Sequence, residues 1–214
     1  MQADNPNQIT KDAPDKDMLA KELPAKDVLN ADDADASSKF QASLPTHPDS
    51  LLRYLDELSI KYTHMHHAPL RTVADSKQVR DNMLTAAQGG GHIKNLYLRD
   101  KKKQNFLAVF QEDRQVDLKS LGKQVGSPRL SFGSADRLLE TLGVRPGAVT
   151  PLAMINGAKT DVTLALDASL LSCKVIYMHP LVNDQTIAMA PEDLLVFLKS
   201  LQIEPLLLVD NDQA

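Results

Sequence analysis

The chain has 214 residues, 43% of them hydrophobic and 24% charged, with a formal net charge of −4 and one cysteine, Cys173. That length buries one sizeable core and makes a single domain the default, while the lone cysteine excludes an intramolecular disulfide and a Cys-rich zinc site. No apolar run approaches the roughly eighteen residues of a membrane span, and the polar, acidic N-terminus lacks the order of a secretion signal, so the reading is a soluble, cytosolic protein.

Residues 1–47 hold five basic and nine acidic side chains, which is the whole charge excess. Their short apolar pairs, such as Met18-Leu19 and Val28-Leu29, never extend into a periodic face, so this segment reads as a disordered acidic tail. Folded sequence is expected from Pro48 to the C-terminus. There Ser50 is a candidate cap for a helix carrying Leu51, Leu52, Leu55 and Leu58. A strand is expected over 61–68, broken by Pro69, and then a short helix capped by Thr72 and running to about Asn82.

After the glycine triplet Gly89–Gly91, the apolar runs Ile93–Leu98 and Asn105–Phe110 flank Arg99–Gln104 and predict a hairpin. Its tip would carry Lys101, Lys102 and Lys103, a candidate patch for a polyanion or simply a solvated turn. A helix should start at Asp117 and end near Gly126, and a second should run from Ser134 through Leu138, Leu139 and Leu142 to Gly143 as its C-terminal glycine. Strands are expected at 152–156, 162–167, 174–178 and 186–189, then a helix Glu192–Leu201 led by Pro191, and a final strand in Pro205–Val209. Hairpins interleaved with helices predict an α+β fold with a mixed, mostly antiparallel sheet.

The glycine triplet carries neither GxxxxGK[ST] nor GxGxxG, which argues against a nucleotide-hydrolysing or dinucleotide site. His64 and His66 fall on one face of a strand, yet no HExxH or carboxylate pattern completes a metal site, so no metal or cofactor is expected. Without a GxSxG elbow or a local signature around Cys173, which reads as a small core hydrophobe, nothing points to a covalent acyl-enzyme. If an ester is hydrolysed, water is the expected nucleophile.

Three short segments remain: Gly90-Gly91-His92-Ile93-Lys94-Asn95-Leu96, Gly147-Ala148-Val149-Thr150-Pro151 with Asn156 beyond it, and His179-Pro180-Leu181-Val182-Asn183. A lysine beside glycines lets backbone and ammonium approach a phosphate or carbonyl together, and a Gly-to-Pro loop offers amide hydrogens from a constrained backbone. Each is also readable as an ordinary turn or connection.

Together with Val116-Asp-Leu-Lys, Arg129-Leu-Ser-Phe and Leu142-Gly-Val-Arg-Pro-Gly-Ala-Val-Thr-Pro, these segments resemble, in order, the YbaK/prolyl-tRNA-synthetase-associated editing domain family and its free-standing ProX group. The resemblance covers about residues 48–209. It implies a carboxylic ester hydrolase that deacylates mischarged aminoacyl-tRNA, with alanine on proline tRNA as the leading substrate and prolyl-tRNA synthetase as an associated partner. It assigns the functional lysine to Lys94, a loop against the terminal adenosine and ester to Gly147–Pro151, and a catalytic histidine to His179. Gly91, His92, Asn95, Ala148, Val149, Thr150, Pro151 and Asn156 are the implied substrate-binding residues. Gly157 stands where the family often has an acidic residue after the asparagine. A deacylase for cysteinyl or seryl tRNA, or a non-catalytic tRNA-binding module of the same fold, are the alternatives.

Overall fold

The computed structural model describes residues 35–70, 79–80, 83–127 and 129–209. Helix α1, Pro48–Glu57, is followed by β1 at Tyr62–His66, β2 at Gly90–Asp100 and β3 at Asn105–Gln111. Then come α2 at Leu118–Gln124, β4 at Leu130–Phe132, α3 at Ala135–Leu142 and a single turn α4 at Met154–Gly157. Strands β5 at Val162–Asp167, β6 at Val175–Met178 and β7 at Gln185–Met189 precede α5 at Pro191–Ser200 and the edge strand β8 at Leu206–Leu208. The helix expected from Thr72 to Asn82 and tail residues 1–34 lie outside the described residues.

The eight strands form one mixed sheet in the order β1-β7-β6-β2-β3-β5-β8, with β4 added beside β2. Four pairings are antiparallel, including the β2–β3 hairpin, and three are parallel. The fold is thus α+β with a mostly antiparallel sheet. Alternation along the strands splits the core between the two faces. On one, Leu107, Val109, Leu164 and Leu166 pack with Leu51, Leu55, Leu142, Met154 and Phe197 from the helices. On the other, Leu98, Phe106, Ala108 and Phe110 pack with Leu121 of α2.

Several elements start where their chemistry dictates. Asp117 caps α2 by accepting from the amides of Lys119 and Ser120, Ser134 caps α3, and Gly143 closes α3 at φ 65°. The cap of α1 is His47 rather than Ser50: its imidazole accepts from the Asp49 amide and Pro48 supplies the first turn. The segment 152–156 is not a strand. Thr150 accepts from the Leu152 amide at 3.3 Å, and Pro151 opens a 3-10 turn, Pro151–Ala153, that runs into α4. A cap plus a proline at the first helical position outweighs a short apolar run that suits either state.

Residues 35–47, read from sequence as tail, pack on the body. The Asn183 amide donates to the Ala36 carbonyl at 2.9 Å. Ser38 donates from both its amide and its hydroxyl to Asp184. Arg145 donates to Ser43 at 2.7 Å and Thr46 to Asn156 at 2.7 Å. Ala36, Ser37 and Thr46 are buried as a result, so the folded body reaches upstream of Pro48. Polar anchors hold this strap, which is why hydrophobic periodicity did not show it.

Candidate functional site

Strand β2 has two different neighbours on one edge. Its first residues, Gly90–His92, pair in parallel with Val175–Tyr177 of β6, and its last, Leu98–Asp100, pair with β4. Between them, Ile93–Tyr97 have no strand partner on that side among the described residues, and β6 ends at Met178. A cleft of about 70 Å³ opens at this break, lined from β2 by His92, Ile93 and Asn95 and from β6, β7 and their connection by Tyr177, His179 and Thr186. Leu70, Val79, Arg80 and Met83 close the remaining side.

His179 enters the cleft with a defined tautomer. Its Nδ1 lies 2.7 Å from the Gln185 carbonyl oxygen, which can only accept, so Nδ1 carries the hydrogen and Nε2 keeps its lone pair. Burial, more than the nearby His67 at 6.2 Å between ring centroids, pushes the imidazole below its ordinary range despite the Gln185 bond. At neutral pH this is a neutral base.

Asn95 is the second polar group. Its Nδ2 donates to the Val149 carbonyl at 2.8 Å, tying the Gly147–Pro151 loop to β2, and its buried Oδ1 has no partner among the described residues. Asn183, 1% exposed, fastens the same loop region: its Nδ2 donates to the Leu70 carbonyl at 2.9 Å and lies beside Gly147. Gly147 sits at φ 92°, a conformation that side chains other than glycine rarely adopt. Ala148, Thr150 and Pro151 are buried and Val149 half-buried, so the loop forms the backing of the cleft rather than its lining.

Lys94 lies on the opposite face of β2 from Asn95, as strand alternation requires. Its ammonium donates to the Arg114 carbonyl oxygen. Arg114 is itself held: its guanidinium pairs with the buried Asp167 at 2.8 Å, donates to the Val209 carbonyl at 3.0 Å and lies over the Phe110 ring. Asp167 in turn accepts from the Ser169 amide and hydroxyl and from the Gln111 amide. The structure therefore places Lys94 next to the cleft residues in the chain but does not count it among the lining.

Of the remaining sequence-derived site residues, Gly91 is buried in the parallel ladder with β6, where an added Cβ would lie 3.1 Å from both the Cys173 sulfur and the Val175 carbonyl. Its neighbour Gly90 has an even stricter reason to be glycine: a Cβ there would stand 2.0 Å from the Leu84 carbonyl oxygen. The triplet is thus a close-packing device at the start of β2. Asn156 is committed elsewhere, accepting from Thr46 and donating to the Leu142 carbonyl at 3.1 Å. Lys101, Lys102 and Lys103 are exposed at the hairpin tip, with Lys103 at φ 72°. His64 contacts Gln185 at 2.9 Å and stacks near His66; among the described residues no third metal-binding side chain joins them.

Sequence reasoning named His92 but missed Tyr177, Arg80 and Glu112, which with it hold the segment at Leu84 beside the cleft. Tyr177 accepts from the Leu84 amide at 2.8 Å, and His92 donates from Nε2 to the Leu84 carbonyl at 2.8 Å, their rings stacked 4.8 Å apart. Arg80 pairs with Glu112 through two contacts of 2.5 Å, and the Glu112 amide donates to the His92 carbonyl. One signal for Tyr177 was available: two residues before His179, it falls on the same side of the strand.

Comparison with known proteins places the chain in a family. Residues 67–197 match the aminoacyl-tRNA editing domain. The prolyl-tRNA editing protein ProX of Acetoanaerobium sticklandii is 34% identical over 146 residues, covering 68% of this chain and 86% of that one. The prolyl-tRNA synthetase associated domain-containing protein 1 of Xenopus laevis is 37% identical over 165 residues, covering 74% and 94%. A solved structure of a candidate trans-editing enzyme for prolyl tRNA synthetase superposes with a TM-score of 0.55 at 20% identity, covering 76% and 91%, which supports the fold.

Proposed function

The chain belongs to the aminoacyl-tRNA editing domain family and is an aminoacyl-tRNA deacylase; from that premise we propose that it removes alanine from proline tRNA. The observation that carries the reading is the neutral His179, its Nε2 lone pair available in a cleft bounded by Asn95 and the Gly147–Pro151 loop. A histidine that stays unprotonated at neutral pH suits the orientation or deprotonation of an attacking water. The unpartnered Asn95 Oδ1 suits the α-ammonium of the aminoacyl group, since a buried acceptor gains most from a charged donor. Lys94 rests on a neutral carbonyl, and a substrate phosphate is the stronger acceptor that draws it to the RNA. The Gly147–Pro151 loop, tied to β2 through Asn95, backs the cleft and supports the ester site from behind.

The amino acid is set by size. A pocket built for proline cannot fully reject alanine, because each missing methylene supplies only about 1–3 kcal/mol. A smaller second pocket that admits alanine and excludes proline supplies the missing discrimination. Asp100, where β2 ends, stands five residues beyond Asn95, about 17 Å at strand rise, a separation over which exposed Lys101, Lys102 and Lys103 in the following turn can meet acceptor-stem phosphates. We assign the tRNA contact to them, and prolyl-tRNA synthetase is the enzyme whose product this activity would inspect.

The test is release of labelled amino acid from proline tRNA charged with alanine, serine, cysteine or proline. Alanine should leave fastest. Equal alanine and proline rates would remove the editing reading, and faster serine or cysteine would reassign the substrate. Lys94→Ala should abolish most hydrolysis without unfolding the protein. Replacing the three lysines by Ala should raise half-saturation and flatten its salt dependence while the saturated rate holds.

A further inference from the structure

Phe132 is 67% exposed, the most of any large apolar side chain among the described residues. Its surroundings make that exposure a fixed feature. Phe132 pairs with Leu98 across the β2–β4 ladder, and Leu98 is fully buried. The next residue, Gly133, donates its amide to the Tyr97 carbonyl at 3.0 Å, and a Cβ on Gly133 would strike the Tyr97 ring at 2.3 Å. The end of β4 is therefore pressed onto β2, and the phenyl ring projects from a rigid base.

Directly paired residues project from the same face of a sheet, as do residues two apart on a strand. Phe132 thus shares a face with Leu98, Leu96 and Lys94, about 13 Å along the strand from Lys94. Beyond it, Arg99, Lys101, Lys102 and Lys103 crowd the end of β2, and Arg129 is exposed just before β4. The one acid in that run, Asp100, accepts from the Ser127 hydroxyl at 2.7 Å and the Gln104 amide at 2.8 Å. An exposed aromatic ring on the Lys94 face of β2, with cations at the strand end beyond it, has the chemistry of a single-stranded nucleic-acid contact: bases stack on the ring and phosphates meet the charges.

We propose that Phe132 is a stacking platform for an unpaired base of the RNA 3′ tail, upstream of the terminal nucleotide that enters the cleft. This rests on the proposed function and adds a recognition element to it. Phe132 binds; it takes no part in the chemistry.

The probe is an uncharged fluorescent RNA minihelix with a single-stranded 3′ tail, compared with the same helix ending blunt. Phe132→Ala and Phe132→Leu should each weaken binding of the tailed helix about 5- to 100-fold, the range expected for one lost stacking contact. Phe132→Trp should bind at least as well as the native protein, and blunt-helix affinity and melting temperature should not change. Native-like binding by Phe132→Leu would overturn the proposal, because apolar bulk alone would then suffice. Equal losses on tailed and blunt helices would overturn it as well, as would a native dimer in sedimentation that Phe132→Ala dissociates, which would make the ring a protein contact. Because the probe is uncharged, tail-specific losses in a protein that released no alanine would sustain the stacking site while refuting the deacylation of alanyl-tRNA.

Discussion

Replacing Asp167 with Asn should destabilise the protein by about 3 kcal/mol, although the two side chains have nearly the same shape. Asp167 is 1% exposed and faces the Arg114 guanidinium at 2.8 Å. Removing one member of a buried ion pair leaves the other charge uncompensated, at a cost of about 3–5 kcal/mol. The lower end applies because the Arg114 side chain is 15% exposed and keeps the Val209 carbonyl and the Phe110 ring. At 2–4 °C per kcal/mol for a protein of this size, the melting temperature should fall by roughly 6–12 °C.

The same substitution should reach the chemistry through Lys94, whose ammonium rests on the Arg114 carbonyl. At 25 °C, with the variant still folded, single-turnover release of alanine should slow by about tenfold, short of the ~10² that a 1 Å misplacement can cost. The assay pairs a thermal melt with that rate. The double variant Arg114→Met with Asp167→Asn removes both members of the pair, so it should recover part of the stability without recovering the rate. A single variant that melts within about 2 °C of the native protein would refute the anchor; so would one that is destabilised but fully active at 25 °C.

Acid should weaken the fold through His92 and His179, both held below the ordinary histidine range chiefly by burial. Depressed values mean that the unfolded chain binds more protons, so this stabilisation is complete above about pH 6.5 and is lost as pH falls toward the folded-state values. Urea midpoints at pH 7.5 and 5.5 should differ less in His179→Gln than in the native protein, and an unchanged difference would count against the buried neutral imidazole. Gly90→Ala should cost about 1–3 kcal/mol or more through the clash with the Leu84 carbonyl. Gly126→Ala should cost only about 1–2 kcal/mol, because φ is 71° there but the space is open; reversed melting temperatures would show that conformation outweighs packing. Tyr177→Phe should lose about 0.5–1.5 kcal/mol by removing the acceptor for the Leu84 amide, and should narrow the preference for alanine over proline in the release assay. An unchanged preference would free Tyr177 from any part in shaping the pocket.

Local chemistry made much of this fold legible. Asp117 and Ser134 announce helix starts, Gly143 a helix end, and the two apolar runs around Arg99–Gln104 a hairpin; each is decided within a few residues. What escaped reading depends on partners far along the chain. The strap around Ser38 is held by Asp184, 146 residues away, through polar bonds that leave no apolar rhythm. Gly90 and Gly91 read, from sequence, as letting backbone and ammonium approach a phosphate or carbonyl, because composition cannot reveal what lies against a missing Cβ. Here it is the Leu84 carbonyl for one, and the Cys173 sulfur and Val175 carbonyl for the other. The candidate site divides the same way. His179 was readable as a residue, but its tautomer depends on the Gln185 carbonyl and its neutrality on burial.

The position of the cleft follows from how β2 is shared. A strand hydrogen-bonded along both edges offers a ligand only its side chains, and those of a central strand are spent on the core. On β2 the parallel partner stops at Tyr177 and the antiparallel one begins at Leu98, leaving Ile93–Tyr97 open on one edge. Asn95 fills part of that break by bonding the Val149 carbonyl, which brings the Gly147–Pro151 loop to the strand without a ladder. Alternation then sends Asn95 to one face and Lys94 to the other. In the reaction we propose, one strand thus presents an amide acceptor to the aminoacyl group and an ammonium toward the RNA backbone. β4 cannot close the open edge, because the residue after Gly133 is Ser134, which is spent capping α3. Gly133 itself lets β4 approach β2, with its amide on the Tyr97 carbonyl, and since any side chain there meets the Tyr97 ring, Gly133→Val should loosen this end of β4 and lower the melting temperature by more than Gly126→Ala does.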